Sequence, residues 1–357
     1  LSFDAQAEPS RSARLDEDGL LVIGPNAQGR QVVQMVGDYN LLADEFKARH
    51  PDVTVQHLPD RIIAPGAQVE ILAQGYRWAE GPTWAAPIDA LLFGDPPSNI
   101  VYRWTRKDGV SPFLSPSGLQ TAIPKEIREA GLNGIAIDRD GHLVGADSGT
   151  RAIVRVDLKT RARTILADRY QGKRFNSPND LTTAGDGSIY FSDPPYGLTD
   201  GDTSSLREIG FNGLYRLTPD GMVTLIDGSH RRPNGVTLSP DGRTLYLALS
   251  DEKQPQVLAY SLGADGLPTG QRLFRDMGKE LAAGEPGLPD GIKTAPDGTV
   301  FATGPGGVHV CAPDGRLLGK IRTGKAIANC CIGEGGKTLF LTSADRLAAV
   351  PLIASGG

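Results

Sequence analysis

Asn133, Asn179, Asn234 and Asp290 each stand seven residues before an Asp-Gly pair, at Asp140-Gly141, Asp186-Gly187, Asp241-Gly242 and Asp297-Gly298. Two looser copies bracket them: Glu80, before a turn near Pro87-Ile88-Asp89, and Asn329, before Gly335-Gly336. These six leading residues can offer two carboxylates and four amide oxygens. Brought together, they would form a hard oxygen shell with two negative charges, suited to one divalent cation. Ca²⁺ is the first expectation, ahead of Mg²⁺ and Mn²⁺, with Zn²⁺ or Fe as further alternatives. Zinc would favour His or Cys, and neither occupies a leading position. A single Asn or Asp before Gly is an ordinary turn former. Six in register favour a shared metal or polar-ligand site.

Residues so far apart can meet only if equivalent strands begin at one height around a common axis. The leaders recur at intervals of about 50 residues, the mark of a repeat architecture. After each leader and turn comes a second strand, as over 142–146, 189–192, 244–249, 300–303 and 338–342. A third and a fourth follow, as over 214–217 and 223–226. Four antiparallel strands repeated radially make a propeller blade. The sixth unit ends after its third strand, and the run Val69 to Leu72 ahead of the first leader supplies its fourth. The expected fold is all-β: a six-bladed β-propeller over residues 61–357, its ring closed by an N-terminal strand, which protects the edges. Residues 1–60 form an N-terminal extension or arm outside the repeat. There Ser10 to Gly19 reads as loop, Leu20 to Ile23 as a strand, and Tyr39 to His50 as a short helix ended by Pro51.

The 357 residues include 45 Gly and 26 Pro spread through the chain, in keeping with many short strands and turns. Net charge is −5 without a cluster of Lys or Arg, so nucleic acid is not an expected partner. No run approaches the roughly 18 apolar residues of a membrane span. Three cysteines cannot make a paired framework, and all three read as small buried hydrophobes. Ala5-Gln6-Ala7, near an N-terminal Leu1, resembles the end of a cleaved export signal, which gives a slight lean towards an exported, periplasmic protein. None of these signals encodes an oligomeric state.

Several phrases together carry a family resemblance: Glu80-Gly81-Pro82-Thr83-Trp84, Asn176-Ser177-Pro178-Asn179-Asp180, Asp193-Pro194-Pro195-Tyr196-Gly197, Pro233-Asn234-Gly235 and Pro289-Asp290-Gly291. Over residues 68 to 352 the chain resembles the gluconolactonase/regucalcin (senescence marker protein) and luciferin-regenerating-enzyme-like family. The resemblance implies a six-bladed propeller, one divalent metal in the channel and lactone hydrolysis. It implies Glu80, Asn179, Asn234 and Asp290 as metal ligands, Asp290 as general base, and Arg174 as a substrate-side arginine. Ser177-Pro178 is inserted after that arginine, and Ala146-Asp147-Ser148 stands where many bacterial lactonases carry Cys-Glu-His.

The chemistry that follows is hydrolysis of a sugar-derived aldonolactone, with a metal polarising the carbonyl and a carboxylate base taking a proton from water. Asn133 and Asn329 would hydrogen-bond substrate hydroxyls, and Tyr196 and Arg174 would reach in from loops above. Two alternatives stay open: hydrolysis of another ester, lactone or phosphotriester, and a non-catalytic Ca²⁺-binding or sugar-binding propeller. The sequence lacks the Gly-x-Ser-x-Gly elbow of a serine hydrolase. Gly335-Gly336-Lys337-Thr338 is a hairpin turn and not a phosphate loop, since Cys331 stands where the first Gly is required. His230, close to Asn234, is at most a proton shuttle, and a solvated loop position suits it better.

Overall fold

The structure, a computed structural model, describes residues 13–15, 21–23, 62–63 and 67–353. Among them are six four-stranded antiparallel sheets, each a blade. The innermost strands of blades 1 to 6 are Glu80–Ala85, Leu132–Ile137, Leu181–Thr183, Pro233–Leu238, Ile292–Thr294 and Asn329–Gly333, and they pack on one another around the axis. Blades 1 to 5 take their four strands in chain order from axis to rim. Blade 6 takes three, and Glu70–Gln74 adds the fourth by pairing with Arg346–Pro351. The expected closing strand thus lies one to two residues further along the chain. Just ahead of it, Ile63 forms a bridge with Leu352 and is buried against blade 6.

Burial explains the hydrophobic pattern. Second strands are covered on both faces by neighbouring blades, so Ala90–Asp95, Leu143–Asp147, Ile189–Asp193, Val300–Gly304 and Thr338–Ser343 are buried throughout. They read as apolar runs and not as alternation. Outer strands such as Arg163–Ala167 have no buried position. The core is accordingly split into clusters between blades. Trp84 stacks on Phe340 with ring centroids 5.9 Å apart, joining blade 1 to blade 6. The seam between blades 2 and 3 centres on Phe175, Phe191 and Tyr215.

The recurring turns work as expected, with one correction. Asp186, Asp241 and Asp297 each accept the N–H two residues on, at 2.8, 3.0 and 2.9 Å. In blade 2 Asp138 takes that part instead of Asp140, accepting from the amides of Asp140 and His142. The following glycine, Gly141, Gly187, Gly242 or Gly298, has φ of 69–88°, a conformation other residues adopt only under strain.

Of the N-terminal expectations, Leu21–Ile23 is a strand, and the stretch read as loop contains its antiparallel partner, Ala13–Leu15. The expected helix at 39–50 lies outside the described residues. Among the described residues no helix is long and apolar enough to cross a membrane.

Candidate metal and substrate site

The glycine behind a leading residue has a use other than turning the chain. A Cβ on Gly81 would collide with the carbonyl oxygen of Asn133, and one on Gly235 with that of Asp290. One on Gly134 would meet Asp180, and one on Gly291 the side chain of Asn329. In four of the six blades glycine therefore lets the innermost strand start close against the leading segment of another, which helps draw the leaders into a tight ring.

Two aspartates hold the segments that lead into the ring. Asp193, at the end of the second strand of blade 3, accepts the amides of Asn176 and Ser177 on its two oxygens, both at 2.7 Å. Asp95 does the same in blade 1 for Arg77 and Trp78, at 3.1 and 3.2 Å. Each pair lies two and three residues before a leader, Asn179 or Glu80. Sequence reading noticed Asp193 but missed Asp95. The signal was available: Asp95-Pro96-Pro97 repeats Asp193-Pro194-Pro195.

Glu80, Asn133, Asn179, Tyr196, Asn234 and Asp290 line one cavity of about 900 Å³ at the channel mouth. Glu80 and the three asparagines are buried, whereas Asp290 is half-buried and opens to the cavity. Glu80 Oε2 accepts the amide of Gly81 at 2.6 Å. Burial pushes the Glu80 carboxyl up to about 8, against that hydrogen bond, and Asp180 adds repulsion. Asp290 is pushed well above the carboxylate range by burial and by the charges of Glu80, Asp180 and Glu129, with Asn234 opposing. Burial likewise raises the Tyr196 phenol.

Asn329 lies beneath the cavity and does not line it. Its Oδ1 accepts the amide of Cys330 at 2.9 Å and Lys293 Nζ at 3.4 Å, and its Nδ2 donates to Asp180 Oδ2 at 3.5 Å. Lys293 Nζ is 3.8 Å from the same Asp180 oxygen, which also accepts the amide of Val236 at 3.3 Å. The structure brings Asn329 to the ring but commits its side chain to this base.

Arg174 does not line the cavity. It sits in a two-stranded hairpin, Arg169–Tyr170 with Lys173–Arg174, away from the cavity. Its guanidinium pairs with Asp168 at 3.0 Å and donates to the Thr150 carbonyl. These contacts hold it on the outer loops. His230 also stays outside the cavity, 3.2 Å from Asp227.

Sequence reading missed Glu129, Asp180 and Ser250. Glu129 reaches the cavity because residues 126–129 pair with 197–199. Gly197 O accepts the amides of Arg128 and Glu129, Thr199 N donates to Glu126 O, and Ile127 bridges Leu198. Asn133 Nδ2 donates to Glu129 Oε2 at 3.4 Å. Trp78, Arg128, Arg231 and Arg232 complete the rim.

The donor set suits a hard cation. Asn179 Oδ1 and Asn234 Oδ1 are buried with no hydrogen-bond partner among the described residues, and they share the cavity with Glu80 and Asp290. A buried carbonyl oxygen without a partner is costly, and a cation would satisfy it. Among the described residues no three His, Cys, Asp or Glu side chains cluster as metal ligands.

Residues 78–345 match the model of the SMP-30/Gluconolactonase/LRE-like region. The chain belongs to this family. It is 46% identical over 295 residues to a gluconolactonase of Zymomonas mobilis, covering 82% of this chain and 83% of that one. A solved gluconolactonase from Xanthomonas campestris is 31% identical with a TM-score of 0.71, covering 82% of this chain and 94% of its own. A calcium-binding protein, regucalcin, from Agrobacterium tumefaciens shares the family fold at 20% identity and a TM-score of 0.62, covering 80% and 94%.

Proposed function

We propose that the protein hydrolyses a sugar-derived aldonolactone of the gluconolactone type to the open-chain aldonic acid. The reading rests chiefly on one observation: carboxylates and partnerless amide oxygens line a single cavity in a chain 46% identical to a gluconolactonase. Glu80, Asn179, Asn234 and Asp290 would hold one divalent cation, with Ca²⁺ the first choice for an all-oxygen set of this charge. When bound, such an ion supplies polarisation of the lactone carbonyl and offsets the negative charge that builds on its oxygen.

The remaining steps belong to the side chains. Asp290, half-open to the cavity, takes a proton from water as the water oxygen bonds to the carbonyl carbon. The bond from that carbon to the ring oxygen then breaks, and the proton returns to the ring oxygen as it leaves as a hydroxyl. Asn133 and Glu129, already hydrogen-bonded to each other, can exchange that bond for substrate hydroxyls. Tyr196 offers a phenol at the same wall, and Trp78 an apolar face for the ring.

Acid release is followed at constant pH on gluconolactone and xylonolactone, after chelation by EDTA and after Ca²⁺ is restored, above the spontaneous rate. Loss with chelator and recovery with Ca²⁺ are expected. Cation binding without turnover would instead favour a non-catalytic binding propeller, and turnover confined to other esters would move the substrate class.

A further inference from the structure

We propose that Ser250 is a positioning residue that decides which end of the Asn234 amide faces the cation, an inference resting on the cation-dependent reading above. An amide placed by shape alone can present either its carbonyl oxygen or its NH₂ group, and only the first can be a ligand. The neighbours of the Ser250 hydroxyl remove that choice: the Pro289 carbonyl can only accept, whereas the nearby Tyr196 phenol can itself donate to Oγ and so leaves the serine proton to Pro289.

Ser250 lies in the second strand of blade 4, Thr244–Asp251, with its amide anchored on the Arg232 carbonyl at 3.0 Å. A serine hydroxyl has one proton. Here Oγ donates it to the carbonyl oxygen of Pro289, the residue before Asp290. Towards Asn234, Oγ is left with lone pairs only, so it can accept but not donate. Asn234 meets it with Nδ2 at 2.8 Å. A flipped amide would set a carbonyl oxygen against those lone pairs. The Asn234 Oδ1 is therefore fixed at the other end, where it has no hydrogen-bond partner among the described residues.

One hydroxyl thus aligns two ligands from different blades, Asn234 by its side chain and Asp290 through the backbone before it. Residues that orient a ligand in this way typically change metal affinity about 10–100-fold when removed.

The test measures Ca²⁺ affinity by calorimetry on the cation-free full chain, with thermal unfolding of the same samples. Ser250→Ala should bind Ca²⁺ about 10–100-fold more weakly. Ser250→Thr, which keeps the hydroxyl, should restore binding, and Ser250→Cys, a near-isostere with a weak acceptor, should behave like Ser250→Ala even if the smaller side chain destabilises the fold. The deciding arm uses Asn234→Asp. A carboxylate has no wrong end, so adding Ser250→Ala in that background should cost clearly less affinity than in the unmodified protein, the remainder coming through the backbone ahead of Asp290. An equal loss in both backgrounds would assign Ser250 a merely structural part and overturn the proposal. Unchanged affinity in Ser250→Ala and Ser250→Cys overturns it while leaving the cation reading intact. No Ca²⁺ binding by the unmodified protein overturns both.

Discussion

Among the six leading residues, Asp290 is the one that combines a carboxylate with a half-open side chain at the cavity. Asp290→Asn keeps its shape and removes its basicity, so kcat should fall about 10²–10⁴-fold, the usual contribution of a general base. Near-normal turnover in that variant would remove Asp290 from the role. Asn133→Ala should instead raise KM about tenfold with kcat little changed, matching the loss of roughly one hydrogen bond of 1–1.5 kcal/mol. The carboxyl groups also predict a proton count. Burial pushes Glu80 up to about 8 and Asp290 well above its ordinary value, so at pH 7 the cation-free site holds protons. A cation requires the ionised forms, so binding must expel protons and affinity must rise with pH until both groups are ionised. Adding Ca²⁺ to weakly buffered protein at pH 7 should acidify the solution, and calorimetric heats should vary with the buffer's ionisation enthalpy. Heats independent of buffer would rule this out.

At the scale of elements, the wall of the cavity is two loops paired edge to edge, 126–129 with 197–199, over a small apolar cluster of Ile127, Ala130 and Leu198. This cluster is separate from the seams between blades, so loosening it should disturb the site before the fold. Leu198→Ala should cost about 2 kcal/mol, the low end for a buried leucine, and raise KM through displacement of Glu129 and Tyr196. Hydrogen exchange at Arg128 and Thr199 should accelerate while the second strands stay protected; uniform acceleration would contradict a separate wall. The same division explains what was legible beforehand. The leaders, the turns and the closing strand could be read because a radial repeat prints one pattern several times. Asp180 escaped because it directly follows a leader, where alternation along a strand would send it away from the ring. The innermost strand begins only at Leu181, so alternation does not apply there. Glu129 belongs to a loop without repeat, and only tertiary pairing brings it in. Arg174 lies outside the cavity lining for a related reason: the turn Gln171-Gly172 folds its segment back as a hairpin, which spacing from Asn179 does not reveal.

For the whole molecule, closure of the ring ties the site to global stability. Glu70–Gln74 completes the blade that ends near residue 351, so the ring is closed by pairing of two segments far apart in the chain. Stability should therefore carry the signature of buried groups far from the channel. His309, in blade 5, is fully buried, with Nε2 on the Pro305 carbonyl at 2.9 Å and Nδ1 4.0 Å from Glu280. Lys320 and Arg275 already hold the same Glu280 oxygen at 3.1 and 2.7 Å. Burial first, and then the Lys320 charge, press the His309 pKa down to about 3. An unfolded histidine titrates near 6.5. Between these values the unfolded chain binds a proton that the folded chain refuses, so stability is full above about 6.5 and falls as pH drops towards 3. Each pH unit inside that window is worth about 1.4 kcal/mol, giving roughly 2 kcal/mol by pH 5. Glu280 acts lower: its neighbours' charges outweigh its burial and hold it near 2, so its contribution is lost as pH falls from the ordinary glutamate range towards 2. Urea midpoints at pH 7.5 and pH 5 separate the two groups. Across that interval Glu80 and Asp290, raised in the fold, favour the folded state as pH falls, so His309 is read by difference. Relative to His309→Gln, which cannot titrate, the unmodified protein should lose about 2 kcal/mol between pH 7.5 and pH 5. An equal pH response in the variant would place the acid sensitivity elsewhere than at His309.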